Sequence, residues 1–119
     1  MRQRNVGVTF KGQPLTLLGN DVNVGDKAPD VELQANDLRA VRISDYFGKV
    51  ILLSAVPSLD TPVCNTETRR FNEAAGGLGE DVVVLTVSMD LPFAQKRWCA
   101  AEGIERVKTL SDHLTASFG

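Results

Sequence analysis

The sequence predicts an α/β domain in which strands of a parallel sheet are joined by helical crossovers. Residues 50–56 (VILLSAV) and 82–87 (VVVLTV) are unbroken apolar runs rich in β-branched side chains, the pattern of strands shielded on both faces. Between them, from Pro62 onward, Val63, Phe71, Ala74 and Leu78 recur at helical spacing among polar residues, and Gly76, Gly77 and Gly79 end the pattern. Strand, helix and strand in this order make a βαβ unit, whose crossover is right-handed.

The flanking elements follow in order. Residues 6–10 and 14–18 read as two strands around a Lys11-Gly12 turn, an opening β-hairpin spanning 6–18. Residues 19–29 are rich in Gly, Asn, Asp and Pro and read as loop. Residues 31–33 suit a short strand. Val41 and Ile43, alternating with Arg42 and Ser44, suit another, with Ser44 capping a turn over 45–47 that Gly48 ends. A second helix is expected from Pro92 to Glu102, with proline in its first turn and Gly103 past its end. Trp98 and Phe93 read as packing residues of that helix. Residues 107–110 form a third strand, and Ser111 or Asp112 caps a last helix running to Gly119. At about eight residues that helix falls below the roughly 12–15 at which an isolated helix is even marginal. No repeat or linker divides residues 1–119, which read as one domain.

Bulk composition excludes several classes of function. The chain is 43% hydrophobic and 24% charged, ordinary for a globular protein, and its net charge of −2 favours neither nucleic acid nor an anionic membrane. No run approaches the roughly 18 apolar residues of a membrane span. The charged start leads into no apolar signal core, so a cytoplasmic address is expected. His113, the single histidine, has no sequence companions for a triad or a metal cluster. No cofactor or metal is expected.

Cys64 and Cys99 lie 35 residues apart, too far for a CxxC motif and too few for a disulfide scaffold. Taken alone, they read first as two separate buried thiols behaving as small hydrophobes. The surroundings of Cys64 argue for chemistry. In the segment Pro57-Ser58-Leu59-Asp60-Thr61-Pro62-Val63-Cys64, Thr61 is placed to cap the helix, Pro62 to fill its first position and Cys64 its third. There the unpaired N–H groups and the helix dipole favour an anion, hence the nucleophilic thiolate. The carboxyl end of a parallel strand is also where open α/β sheets place ligands. Each part has a plain alternative: Thr61-Pro62 as an ordinary helix start, Asp60 as a turn residue, Arg69 and Arg70 as a solvated face, Glu67 as an exposed first-turn carboxylate.

Pro57, Thr61 and Cys64 match the PxxxTxxC signature of peroxiredoxins, and PSLDTPVCNTETRRFNEAA resembles the bacterial thiol peroxidase branch of that family. MDLPFAQKRWCAAEGI, which carries Cys99, and the opening TFKGQPLTL resemble two further segments of the same branch. The resemblance implies a thioredoxin-like fold with an N-terminal hairpin, incomplete at its C-terminus by about a third of the family's length. It implies that Cys64 is the peroxidatic cysteine, that Thr61 orients the peroxide and that Pro57 shields the pocket. Cys99 would resolve the Cys64 sulfenic acid as an intramolecular disulfide, thioredoxin would recycle it, and the protein would be a homodimer. The family's active-site arginine matches no arginine of this chain. Two other readings remain at this stage. A thiol–disulfide oxidoreductase of the same fold would need the absent CxxC, whereas a non-catalytic or peroxide-sensing fragment would keep both cysteines without turnover.

Overall fold

In the computed structural model, residues 2–5 and 7–119 are described. The centre is a mixed sheet of five strands: β5 (Glu32–Gln34), β6 (Ala40–Arg42), β7 (Val50–Ala55), β8 (Val82–Ser88) and β9 (Val107–Ser111), in the order β6-β5-β9-β8-β7. Strands β7, β8 and β9 are parallel, in register from Val50↔Val82 to Ala55↔Val87 and from Val84↔Val107 to Ser88↔Ser111. Helix α1 (Pro62–Ala75) joins β7 to β8, and α2 (Pro92–Glu102) joins β8 to β9. Both crossovers advance in the same direction, so their common hand places both helices on one face of the sheet. Proline opens each helix, and Gly103 ends α2 in the left-handed conformation at φ 66°.

Alternation along β8 divides the core in two. Val83, Leu85 and Val87 pack with Leu33, Val41, Ile43 and Leu110 on the face away from the helices. Val84 packs with Val56, Leu59, Trp98, Ile104 and Val107 beneath them.

An N-terminal ladder precedes the sheet. β2 (Thr9–Phe10) pairs with β3 (Gln13–Pro14), and β1 (Gln3–Arg4) with β4 (Leu17–Leu18), both antiparallel. Lys11 and Gly12, at φ 50° and 79°, make the two-residue turn whose twist matches a hairpin. Pairing reaches Gln3, upstream of the expected start at Val6, a residue that lies outside the described ones.

Four expectations are corrected. The run 50–56 does not form a strand shielded on both faces: β7 is an edge strand, with Val50, Leu52 and Leu53 exposed by 59%, 37% and 36%. Among the described residues no strand pairs with its outer side, and on the face away from the helices only Ile51 of this strand reaches the core. Ile43 does not extend β6 but opens a 3-10 helix, Ile43–Tyr46. Ser44 lies inside that helix rather than capping it, and its N–H donates to Asp30 at 3.0 Å. Arg42 holds the cap position, with its N–H donated to the Asp45 carboxylate at 2.8 Å. The last helix is absent among the described residues. Ser111 belongs to β9, and the Asp112 carboxylate accepts the N–H groups of Phe118 and Gly119 at 3.1 and 2.9 Å, six and seven residues on, where a cap would serve the first turn.

Candidate active site

The β7–α1 junction carries three of the four residues singled out from sequence. Thr61 is extended, at φ −81° and ψ 143°, and its carbonyl accepts the first helical bond from Asn65 N–H at 2.9 Å. Pro62 follows without an N–H to satisfy, and Cys64 takes the third helical position. The Thr61 hydroxyl makes no cap bond; it donates to Ser58 O at 2.9 Å. Pro57 is exposed, and its carbonyl accepts Met89 N–H at 3.2 Å.

The inward stripe of α1 differs from the expected one. Cys64, Phe71 and Ala75 pack against the core cluster and Thr68 is fully buried, whereas Val63 and Leu78 are 76% and 40% exposed and Ala74 also faces solvent. Cys64 therefore heads the stripe that packs onto Val56, Leu59, Val84 and Trp98. Cys99, from α2, packs on the same cluster, and both thiols are free.

The two thiols have different surroundings. Cys99 Sγ lies 3.7 Å from Thr109 Oγ1, whose hydroxyl donates to Asn36 Oδ1 at 2.9 Å. A hydroxyl has one proton to give. With that proton on Asn36, the Cys99 S–H is the donor to Thr109, and on ionisation Thr109 can turn its proton toward sulfur. Burial pushes the Cys99 thiol above the ordinary cysteine range, and hydrogen bonding to Thr109 and Asn36 offsets this only in part. Cys99 also lines a cavity of about 370 Å³ with Asn36, Arg39, Tyr46 and Lys108, where β5 diverges from β9 after their one bridge at Gln34↔Ser111.

Other sequence readings resolve as follows. Trp98 is buried beside Cys99, but Phe93 is 63% exposed, so the two do not pack as a pair. Glu67 is not a free surface carboxylate; half-buried, it accepts the Ser54 hydroxyl at 2.8 Å. Arg69 and Arg70 are exposed. His113 is half-buried with Nε2 2.8 Å from Gln34 Oε1. Among the described residues no group of three or more His, Cys, Asp or Glu is placed to hold a metal, and no helix is long and apolar enough to cross a membrane.

Sequence reasoning missed Asp90. Its carboxylate accepts the Ser58 hydroxyl at 2.6 Å, Leu59 N–H at 2.8 Å and the Ser88 hydroxyl at 2.8 Å, so it fastens the loop before Cys64 to the turn before α2. The available signal was Ser88-Met89-Asp90 ahead of a proline-led helix, a combination of residues that seek backbone donors.

A thioredoxin-like α/β fold with one free thiol in the first turn of a crossover helix and a second on the next crossover defines a cysteine-based redox protein. The Redoxin family description matches residues 23–119. The thiol peroxidase of Halalkalibacterium halodurans is 62% identical over 112 residues, covering 94% of this chain and 67% of that protein. The thiol peroxidase of Oceanobacillus iheyensis is equally similar, at 62% identity over 94% of this chain and 68% of that protein. The crystal structure of a peroxiredoxin-like protein from Aquifex aeolicus superposes with a TM-score of 0.86 at 43% identity, covering 98% of this chain and 67% of that one. The chain belongs to the redoxin family, in the thiol peroxidase branch of the peroxiredoxins, a class of oxidoreductases that reduce peroxides at an active-site cysteine. It spans about two thirds of the length of these relatives.

Proposed function

We propose that Cys64 is the peroxidatic cysteine and Cys99 its resolving partner. The observation that carries this is the position of Cys64 in the first turn of α1, at the head of its inward stripe, with Cys99 on the same apolar cluster. The Cys64 thiolate attacks one oxygen of the hydroperoxide; an S–O bond forms as the O–O bond breaks. The leaving oxygen takes a proton and departs as water or an alcohol, and the sulfur, oxidised by two electrons, becomes a sulfenic acid. The Cys99 thiolate then displaces hydroxide from that sulfur, forming the disulfide and, with a proton, water. A dithiol reductant restores both thiols through a mixed disulfide.

Thr61 and Pro57 complete the site. With its one proton given to Ser58, the Thr61 hydroxyl has lone pairs left to accept from a bound hydroperoxide. The resemblance to thiol peroxidases gives Pro57, just past the end of β7, the role of shielding the peroxide site. The resemblance to thiol peroxidases favours thioredoxin as the dithiol partner, a homodimeric whole protein and a cytoplasmic location. Residues 1–119 form the peroxiredoxin domain, with the hairpin over 6–18 as its N-terminal extension.

Supplying hydroperoxide with thioredoxin, its reductase and NADPH tests the assignment. Cys99→Ser is expected to consume one equivalent of peroxide and then stall or overoxidise, and Cys64→Ser not to react at a catalytic rate. Early sulfenic acid on Cys99 in the wild type, seen by mass spectrometry, would reverse the roles.

A further inference from the structure

We propose that Asp90 is a positioning residue that acts on both halves of the cycle in opposite senses, holding Cys64 in its peroxide-reactive seat and limiting how fast it leaves that seat for Cys99. This rests on the cysteine roles assigned above.

Asp90 stands two residues before Pro92, at the entrance to the helix that carries Cys99. Its side chain reaches across to the loop that carries Cys64. One carboxylate oxygen accepts the Ser58 hydroxyl; the other accepts Leu59 N–H and the Ser88 hydroxyl. Bonds to an ionised acceptor are about twice as strong as neutral ones. The far side of the latch is itself anchored. The Asp90 carbonyl accepts the Ser111 hydroxyl, and the Ser88 oxygen accepts Nε2 of the fully buried Gln95, which also donates to Leu110 O at 2.9 Å. The near side leads to the sulfur: Ser58 O takes the Thr61 hydroxyl, and Thr61 O receives the first bond of α1. One carboxylate thus links the end of β8, the start of α2 and β9 to the first turn of α1.

The two chemical steps make opposite demands on that turn. Peroxide attack requires it formed, because its N–H groups and Thr61 orient the reacting atoms. Disulfide closure requires the Cα atoms of two cysteines carried by separate helices to come within about 7 Å, an approach that a turn free to open makes faster. A latch on the loop feeding it speeds the first step and slows the second. A residue that merely supported the fold would move both rates the same way.

Two single-turnover rates separate these roles: peroxide consumption by Cys64, followed by rapid mixing, and disulfide closure from the sulfenic acid, followed by mass spectrometry. Asp90→Asn keeps the size but turns an amide N–H₂ toward donors that need an acceptor. It is expected to slow peroxide consumption roughly tenfold and to speed closure severalfold, given the cost of unmaking charge-assisted bonds. Ser58→Ala removes one donor of three and should shift both rates the same ways by less; it decides the matter if Asp90→Asn does not fold. Both rates unchanged within about twofold, or both falling together, would overturn the proposal. Failure of the cysteine assignment looks different: the wild type would then show no sulfenic acid on Cys64 at all.

Discussion

At the scale of single residues, the burial of Cys99 makes disulfide closure respond to pH. Cys99 is half-buried beside Thr109, and burial raises its pKa above the ordinary thiol range. The thiolate is the form that closes the disulfide. Closure is therefore expected to accelerate with rising pH through and beyond the usual thiol range, measured as disulfide formation from preformed sulfenic acid. Thr109→Val removes the hydroxyl that can turn toward the thiolate, and should slow closure severalfold and move its pH midpoint higher; an unmoved midpoint would exclude the hydroxyl from the step. The linked effect on stability runs the other way. A thiol whose folded pKa is raised holds its proton longer in the fold than in the unfolded chain, so its contribution is complete below the unfolded pKa and is lost as pH climbs toward the folded one. The place of Cys64 in the first turn of α1 was readable from sequence because it is set locally, by threonine, proline and cysteine within four residues. The surroundings of Cys99 were not, since Asn36 and Thr109 lie 73 residues apart and meet only because β5 and β9 share a sheet.

At the scale of elements, helix boundaries were more legible than helix faces. Proline at the start and a left-handed glycine at the end bound α2 where the sequence places them, because both act through local backbone geometry. The face of α1 was misread because its apolar residues fit two phases, and the phase that packs includes a buried polar residue, Thr68, which a count of apolar positions passes over. The hydroxyl of Thr68 is buried without a partner, so Thr68→Val is expected to stabilise the protein by about 1 kcal/mol in urea unfolding, since an isosteric apolar group removes an unmet desolvation cost. Destabilisation instead would mean that the hydroxyl has a partner, such as a buried water. The same elements are expected to yield when the disulfide forms. Oxidation should speed amide hydrogen exchange around Trp98, Cys99 and Ala100 and in the first turn of α1, relative to the reduced protein. Unchanged exchange at both places, with the disulfide formed at full rate, would mean that the helices close the bond without opening.

At the scale of the whole molecule, the open side of the sheet sets how this 119-residue chain behaves in solution. The run from Val50 was legible as a strand, and its hydropathy as a demand for cover, but hydropathy does not say what supplies the cover. In the structure β7 is six residues long, pairs only through its β8 side among the described residues, and leaves Val50, Leu52 and Leu53 substantially exposed. Side chains alternate between faces, so Leu52 belongs to the helix side and Leu53 to the side of Ile51, and apolar surface is open on both. Such an edge offers unpaired N–H and C=O groups beside apolar side chains, a template for a strand of another copy. The 119-residue chain is therefore expected to self-associate with rising concentration, read as a shift in sedimentation velocity. Leu53→Lys places a charge on the open face without touching the cluster around Val56 and Trp98 that seats the two thiols. It should lower association while leaving the circular dichroism spectrum and the reactivity of Cys64 with peroxide unchanged. If the unsubstituted chain sediments as a monomer across the accessible concentration range, β7 is not acting as a template. If Leu53→Lys abolishes peroxide reactivity along with association, the open edge is part of what holds the Cys64 turn in place.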